Sequence, residues 1–299
     1  MSKPTRIIDV HQHAYWIGTD AARLVANMDA HGIASAWILG WDIPPAEDNA
    51  GYHGVLNPMH RRADGTHPGI PLSDLVATRD RYPKRFVIGY CPHPAIGSAP
   101  AFLEAAHKIH GARVCGEWKF RILFDDPRCL ELYRKAGQLQ MPVILHLDLP
   151  YLRDAQGVPQ YQRDWYGGTV ANLERALKAC PATKFLGHAP GFWREISGDA
   201  DRDSSQYPAG KLVKGGCLFR LFDTYPNLYG DLSANSGLTA LKRDPHHAVE
   251  FLTRYQDRLL FGRDSNSSDL HNFLQTLKLP KAITEKIYHR NAAQLVPPL

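Results

Sequence analysis

The sequence predicts an α/β fold, a (β/α)8 TIM barrel, and three observations carry that prediction. Short apolar, β-branched runs alternate with segments of helical periodicity, as expected for parallel strands joined by right-handed helical crossovers. Eight such runs occur, which is the strand number of a closed barrel. The length of 299 residues suits a barrel of about 250 residues with long loops. An open, doubly wound sheet is the alternative, but no G-x-G-x-x-G follows the first run.

The strand candidates are nearly continuous apolar runs, which is typical of strands covered on both faces. Helical stripes lie between them, for example over residues 21–28, where Gly32 then indicates the end of the helix. The predicted strands are residues 6–10, 34–39, 86–90, 113–120, 143–147, 184–188, 228–232 and 258–262.

Two connections are too long to be simple turns. Residues 41–71 follow the second strand, and residues 189–210 follow the sixth. Loops that follow strands lie on the C-terminal face of a barrel, where active sites form, so both are expected to border a site. No interdomain linker interrupts the pattern, and we expect a single domain over residues 1–299.

Composition excludes several classes of protein. Hydrophobic residues make up 44% and charged residues 22%, as in ordinary globular domains. The net charge of +5 is scattered, so we predict no nucleic-acid partner, although an anionic substrate would suit it. The five cysteines include no C-x-x-C pair, which argues against disulfides. No apolar run reaches the roughly 20 residues of a membrane helix, and no signal-peptide pattern opens the sequence, so we expect a cytoplasmic protein without membrane contact.

The most informative motif is an H-x-H pair, His11 and His13, at the end of the first strand. Residues two apart in a strand point to the same side, so both imidazoles are available to one metal ion. His146, His188 and Asp264 end the fifth, sixth and eighth strands. Because the C-terminal strand ends of a barrel converge, these side chains predict a site for a divalent cation, zinc, manganese or iron.

The order of these residues resembles the amidohydrolase superfamily, and within it the amidohydrolase-related branch that includes aminocarboxymuconate semialdehyde decarboxylase. The resemblance extends along nearly the whole chain, to the closing segment 291–295. It implies that His188 is a catalytic group and that the protein forms a homodimer. It also implies a single metal ion, most commonly zinc, held by His11, His13, His146 and Asp264.

The fourth strand leaves alternatives open. Glu117 and Lys119 are two residues apart and so share a face. In two-metal members of the superfamily a residue of this strand bridges the ions, and either residue could do so here; an ion pair between them is the other interpretation. With a single metal, we expect Lys119 and Arg121 to bind an anionic part of the substrate. Glu117 would then orient a ligand imidazole.

Further site candidates follow from position alone. Trp16 follows the H-x-H pair, His93 ends the third strand, and Trp193 lies in the second long loop. Aromatic side chains there could stack on a substrate ring, so we assign these three residues to substrate binding. Asp231 and Ser233 end the seventh strand and are expected to form hydrogen bonds across the barrel.

Three functions fit this site. We expect a metal-dependent hydrolase acting on an amide, lactone or ester of a small organic acid, with Asp264 transferring protons and His188 stabilising the oxyanion. A non-oxidative decarboxylase that uses the same residues, with Lys119 or Arg121 holding a carboxylate, is the alternative. A non-catalytic metal-binding barrel is a second alternative, against which the complete set of ligand positions counts.

Overall fold

The computed structural model describes residues 6–202 and 204–297, and a ring of eight parallel strands lies at its centre. All eight predicted strands form, with ends that differ by a few residues. Two further short strands, Tyr151–Arg153 and Pro159–Tyr161, make a separate antiparallel hairpin. In chain order the strands are β1 (Ile7–Gln12), β2 (Ile33–Trp41), β3 (Phe86–Cys91), β4 (Cys115–Trp118), β5 (Val143–His146), β6 (Tyr151–Arg153), β7 (Pro159–Tyr161), β8 (Phe185–His188), β9 (Leu228–Asp231) and β10 (Leu259–Leu260).

Backbone hydrogen bonds join the eight barrel strands in sequential order. One sheet runs β1-β2-β3, and the other runs β4-β5-β8-β9-β10. At one seam the amide of Tyr90 donates to the carbonyl of Val114 at 3.0 Å. At the other seam the amide of Val10 donates to the carbonyl of Phe261 at 3.0 Å. Hydrogen bonds therefore cross both seams, and the predicted (β/α)8 fold is confirmed.

Helices occupy the connections between the strands. Several begin at a side-chain cap; the Asp20 carboxylate, for example, accepts from the amide of Arg23 at the start of the first helix. No helix within the two described ranges is long and apolar enough to cross a bilayer. The helices are α1 (Ala21–Ala30), α2 (Leu72–Arg81), α3 (Ala99–His110), α4 (Pro127–Gln138), α5 (Val170–Ala179), α6 (Pro190–Trp193), α7 (Cys217–Thr224), α8 (Ala234–Lys242), α9 (Pro245–Arg254), α10 (Asp269–Thr276), α11 (Lys281–Glu285) and α12 (Asn291–Leu295).

Apolar side chains form two layers, one inside the barrel and one between the strands and the helices. The inner layer includes Ile8, Trp37 and Ile144, and α12 adds Ala292 to it. The outer layer is larger and receives residues from most of the helices. Because apolar residues fill the barrel interior, its buried polar side chains are concentrated at the C-terminal strand ends.

The two predicted long loops are confirmed, and the structure adds a third. Residues 42–71 contain three short 3-10 turns, and the segment after β8 contains α6 and two further turns. The third connection, residues 147–169, carries the β6–β7 hairpin. The sequence prediction missed this hairpin because each strand has only three residues, and most of them are exposed.

Candidate metal centre at the barrel mouth

The structure brings the five predicted strand-end residues together at the C-terminal mouth of the barrel. The imidazole centroid of His188 lies 4.3 Å from that of His11 and 5.3 Å from that of His146. Asp264 Oδ1 lies 3.3 Å from His13 Nε2 and 3.8 Å from His11 Nε2. Side chains from four different barrel segments thus form one buried cluster.

Local irregularities in the backbone bring these side chains to the mouth. The register between β1 and β2 shifts between Asp9 and Gln12, and such irregularities re-aim side chains. Asp264 has a φ of +53°, a left-handed conformation that Asp adopts more readily than most residues. Its amide donates to the carbonyl of His11 at 2.9 Å. The Asp264 carboxylate is thereby fixed beside the first strand.

Gly262 permits this close approach. A Cβ at this position would lie 2.8 Å from Asp231 Oδ1 and 3.2 Å from His11 Cβ. Real Cβ atoms do not tolerate the first of these distances. A side chain at position 262 would therefore displace the Asp231 carboxylate from His11.

Two imidazoles are anchored through Nδ1, so that Nε2 faces the cluster. His11 Nδ1 donates to Asp231 Oδ2 at 2.7 Å, and His13 Nδ1 donates to the carbonyl of Leu39 at 2.8 Å. An anchored Nδ1–H fixes the tautomer and leaves the Nε2 lone pair available, as in metal-ligating histidines. His11 Nε2 and Asp264 Oδ1 are buried and have no hydrogen-bond partner among the described residues.

His188 has a similar anchor on β9 and the residues after it. Its Nδ1 lies 3.0 Å from Ser233 Oγ and 3.5 Å from Asp231 Oδ2. Its Nε2 lies 3.9 Å from Asp264 Oδ2. The predicted cross-barrel hydrogen bonds of Asp231 and Ser233 are therefore confirmed.

Glu117 occupies a more central position than an orienting role requires. Its Oε1 lies 2.5 Å from His146 Nδ1, which matches the predicted hydrogen bond to an imidazole. However, Oε1 also lies 3.9 Å from His11 Nε2, and Oε2 lies 3.9 Å from His13 Nε2. Glu117 is therefore a candidate metal ligand itself.

His146 differs from the other three imidazoles. Its Nδ1 contacts Glu117, and its Nε2 lies 2.9 Å from Asp148 Oδ2. Both ring nitrogens therefore have a carboxylate partner. To act as the metal ligand that the resemblance implies, His146 would have to lose one of these two contacts. His11 and His13 could bind a metal through Nε2 without losing the hydrogen bond at Nδ1.

The donor set fits one divalent cation. Nitrogen and oxygen donors of this mixture suit zinc, manganese or iron, and the unpaired atoms His11 Nε2 and Asp264 Oδ1 face the cluster. Within residues 6–202 and 204–297, three sets of buried residues have donor atoms that all lie within 4.8 Å of one another. These sets are His11, His13 and Glu117; His11, His188 and Asp231; and Glu117, His146 and His188.

The electrostatics of the cluster favour an added positive charge. Burial opposes ionisation of Asp264, but His11 and His13 outweigh it and lower the pKa of this carboxyl to about 2. Burial likewise opposes a charge on Glu117, yet Lys119 and the neighbouring imidazoles hold its pKa well below the usual value. The pKa of Asp231 is also lowered, against its burial, by His11. Three carboxylates in and beside the cluster are thus ionised, and a divalent cation would balance part of their charge.

The pKa values of two of the imidazoles shift in opposite directions. Burial, together with the neighbouring His11, lowers the pKa of His188 to about 4. Burial also disfavours a charge on His11, but Asp264 and Asp231 outweigh it and raise the pKa of His11 to about 10. His188 is therefore neutral at pH 7, whereas the two carboxylates favour a proton on His11, and a divalent cation held by His11 Nε2 would replace that proton.

Two of the residues predicted to bind substrate are placed elsewhere. Trp193 is fully buried, packs against Phe251, and donates its indole N–H to the carbonyl of Asp231 at 2.8 Å. It supports the core and does not face the mouth.

His93 Nε2 contacts Glu47 Oε1 at 2.9 Å, and its Nδ1 accepts from the amide of Ala95. His93 therefore anchors the loop after β2, so its position does not support substrate contact.

The other three predicted substrate residues lie near the mouth. Trp16 is half-buried, with its ring centroid 4.9 Å from that of His13. Lys119 shares the buried face of Glu117. Arg121 is engaged with the loop instead, because its amide donates to Glu47 Oε2 at 3.0 Å and its guanidinium to the Glu47 carbonyl at 3.2 Å.

Sequence reasoning missed two residues of the loop after β2. Glu47 binds both His93 and Arg121, and Tyr52 lies beside Lys119 and Trp16. The prediction that this loop borders the site was the only signal for them, because no periodicity assigns a direction to side chains in a loop.

Comparisons with known proteins agree with this geometry. The family model described as amidohydrolase matches residues 8–297. No curated protein sequence matches the chain.

Solved structures show similar folds at low sequence identity. 5-Carboxyvanillate decarboxylase from Sphingomonas paucimobilis superposes with a TM-score of 0.62 and 14% identity, covering 99% of this chain and 100% of that chain. A dihydroxybenzoic acid decarboxylase from a Polaromonas species, with bound manganese and the inhibitor 2-nitroresorcinol, gives a TM-score of 0.60 and 16% identity, covering 98% and 97%. A candidate 2-pyrone-4,6-dicarboxylic acid hydrolase from Pseudomonas putida gives a TM-score of 0.58 and 12% identity, covering 98% of this chain and 97% of that chain. At these identities the likeness supports the fold alone.

Proposed function

Because this chain belongs to the amidohydrolase family, we propose that it is a metal-dependent, non-oxidative decarboxylase of a small aromatic carboxylic acid. Decarboxylase structures with the same fold, one of them with manganese, support this alternative over the hydrolysis that the sequence favoured. The observation that carries the proposal is the buried cluster of His11, His13, Glu117 and Asp264, with its unpaired donor atoms.

The ligand set would be His11, His13, Glu117 and Asp264, with His146 joining if its contact to a carboxylate is exchanged. A divalent ion there would supply Lewis-acid stabilisation of negative charge on the substrate. Manganese and zinc both accept this mixture of imidazole and carboxylate donors. Asp231 and the Leu39 carbonyl keep the two β1 imidazoles in the required orientation.

Asp264 and His188 form the proposed acid–base pair. His188 Nε2 lies 3.9 Å from Asp264 Oδ2, so both groups border the same space. One of them takes up a proton from solvent as the anionic substrate binds and delivers it to the ring carbon that bears the carboxylate. The bond between that carbon and the carboxylate then breaks, CO2 leaves, and the electron pair returns to the ring. The proton remains on the product, so the reaction needs no oxidant or reductant.

Burial of the cluster suits this chemistry. The side chains of His11, His13 and His188 are at most 3% exposed, and exclusion of water strengthens electrostatic stabilisation of a charged intermediate. Lys119, on the same strand face as Glu117, is the proposed contact for an anionic group of the substrate.

Hydrolysis of a lactone or ester is the second candidate. The similar fold of a candidate 2-pyrone-4,6-dicarboxylic acid hydrolase favours it. The same acid–base pair would then act on a water molecule and a carbonyl group. The two reactions differ in their products, so a direct assay separates them.

The test is an assay of the full chain, loaded with manganese or zinc, against 2,6-dihydroxybenzoate, 5-carboxyvanillate and 2-pyrone-4,6-dicarboxylate. We expect CO2 release from an aromatic acid, which chelation abolishes. Ring opening of the pyrone without CO2 release from any of the acids would replace the proposal with the hydrolase. Asp257→Asn, a substitution of an exposed carboxylate paired with Lys286, is the matched control for Asp264→Asn.

A further inference from the structure

An aromatic cage, formed by Trp41, Tyr52 and Tyr166, surrounds the ammonium group of Lys119. The Lys119 Nζ lies 4.6 Å from the ring centroid of Tyr52, 5.2 Å from that of Trp41 and 5.4 Å from that of Tyr166. The rings come from the end of β2, the loop after it, and the connection between β5 and α5. Three separate segments of the chain therefore converge on one lysine.

We propose that Lys119 and the aromatic cage form a subsite for a second anionic group of the substrate, so that the enzyme selects aromatic dianions, with Tyr52 as the specificity-determining residue. The inference rests on the proposed function for the position of the reacting carboxylate, at the metal centre. It adds the class of substrate and the residue that selects it.

The cage explains how a positive charge is kept available beside the metal centre. Lys119 is only 6% exposed, and burial penalises an ammonium group unless other charge compensates it. Faces of aromatic rings within about 6 Å attract such a cation. Glu117 is the carboxylate on the same strand face, but it is also held by His146. Glu117 and the rings therefore stabilise the Lys119 charge. Because Glu117 is shared with His146 and would be shared with a bound cation, Lys119 could still attract an anionic group of the substrate.

Aromatic rings connect Lys119 to the metal centre, because Trp41 lies beside both Lys119 Nζ and the His13 ring. Trp16, Trp41 and Tyr52 have centroids 6.2 to 6.4 Å from one another, and Trp16 contacts His13. Glu117, in the metal centre, and Lys119, in the cage, are two residues apart in sequence, so a small substituted ring would suffice to contact both sites. A planar substrate would place one anionic group at each end and its face against these rings.

Tyr52 reaches Lys119 from a loop, whereas Lys119 itself is fixed close to β4. Tyr52 ends the 3-10 turn Ala50–Tyr52. Glu47 fastens this loop to the ends of two strands, through His93 at 2.9 Å and the amide of Arg121 at 3.0 Å. The position of Tyr52 therefore depends on the conformation of this loop. A change in the loop would alter substrate selectivity while leaving the metal ligands in place.

The test measures binding directly, by titration calorimetry of the full chain loaded with manganese or zinc, at pH 8, where carboxyl groups are ionised. The probes are isophthalate, with two carboxylates, benzoate, with one, and benzamide, with none. We expect isophthalate to bind about tenfold or more tightly than benzoate, because one added charged contact contributes about that factor. Benzamide should bind most weakly.

Substitutions of Lys119 and Tyr52 test whether the cage causes the preference for isophthalate over benzoate. Lys119→Gln should reduce the isophthalate-to-benzoate ratio to about one, and Tyr52→Ala should reduce it several-fold. Tyr52→Phe keeps the ring but removes the hydroxyl, which also forms a hydrogen bond with Lys119, so it should lower the ratio less than Tyr52→Ala does. Tyr161→Phe, at an exposed position on β7, should leave the ratio unchanged. Thermal melting checks the folding of each variant.

Equal affinity of the wild type for isophthalate and benzoate would overturn the inference. An undiminished isophthalate-to-benzoate affinity ratio in Tyr52→Ala would also overturn it. Because Tyr52 lies on a loop, we expect this variant to fold even if Lys119→Gln does not. The outcome is separable from the proposed function. A clear preference without CO2 release from any acid would contradict the decarboxylase only, and CO2 release without a preference would contradict the subsite only.

Discussion

The metal centre and the loop above it are built in opposite ways. At the centre, His11 and His13 lie at the end of one strand, and the Nδ1 of each ring donates a hydrogen bond that fixes its orientation. The helical segments in the loop over residues 42–71 are short 3-10 turns, and side chains such as Glu47 and Asp42 connect it to the strand ends. The comparison indicates that the groups for chemistry are held rigidly, whereas the groups for selectivity are held by a few replaceable contacts.

The largest effect on activity should come from substitution of Asp264, in the segment that follows β10. Asp264→Asn removes a candidate ligand and one member of the acid–base pair, and general acid–base groups contribute about 10²- to 10⁴-fold to rate. We expect a loss of that order in CO2 release, measured with the metal-loaded enzyme. Asp257→Asn should retain wild-type turnover. Wild-type turnover in Asp264→Asn would remove this residue from the mechanism.

Next in size is the effect of the anchors behind the ligands. Asp231→Asn weakens the hydrogen bond to His11 Nδ1, and loss of such partners lowers metal affinity by about 10- to 100-fold. Ser233→Ala removes a partner of His188 but leaves the His11 anchor intact, so it should affect metal affinity less. Competition with a chromophoric chelator measures both. Equal losses in the two variants would mean that the His11 anchor has no special importance.

The loop should respond differently from the centre. Glu47→Gln weakens the contacts to His93 and Arg121, and one partly exposed charged contact contributes about 1 kcal/mol, or roughly fivefold. We expect KM to rise by about that factor, with metal affinity unchanged. Glu104→Gln, which affects a surface pair with Lys108, is the control. A drop in metal content in Glu47→Gln would show that the two regions are not independent.

The smallest effect concerns the pH dependence of the same loop. His67 donates from Nε2 to the Asn57 carbonyl and accepts at Nδ1 from the amide of Gly69, which requires the neutral imidazole. Burial, reinforced by His60 and His53, lowers the pKa of His67 below 6.5. Between that lowered pKa and 6.5 the unfolded loop binds a proton that the folded loop does not, so stability falls as the pH falls through this window.

Hydrogen exchange of residues 42–71 measures this effect. Protection in the wild type should decrease by a few-fold on acidification from pH 7 to about pH 5. His67→Gln, which cannot titrate there, should reduce that decrease, whereas His31→Gln, at an exposed position, should not. An identical pH profile in His67→Gln would assign the dependence to another group.

The contrast between strands and loops also explains what could be predicted from the sequence. Apolar runs bounded by turn signals located all eight barrel strands, and the convergence of strand ends placed His11 and Asp264 together. The central position of Glu117 could not be decided, because strand alternation gives its face but not its distance from neighbouring residues. His93 and Trp193 were assigned to substrate by their position in the chain alone. Their partners, Glu47 and the Asp231 carbonyl, are distant in sequence and belong to the tertiary structure.

The central claim is that His11, His13, Glu117 and Asp264 enclose one divalent cation. Elemental analysis of the full chain, after loading with manganese or zinc and removal of the excess, tests it most directly. The account predicts about one equivalent of metal per chain in the wild type and in the exposed-site control His31→Ala, and a large loss in His13→Ala and Glu117→Gln. A wild-type chain without stoichiometric metal, or undiminished metal in both ligand variants, would contradict it.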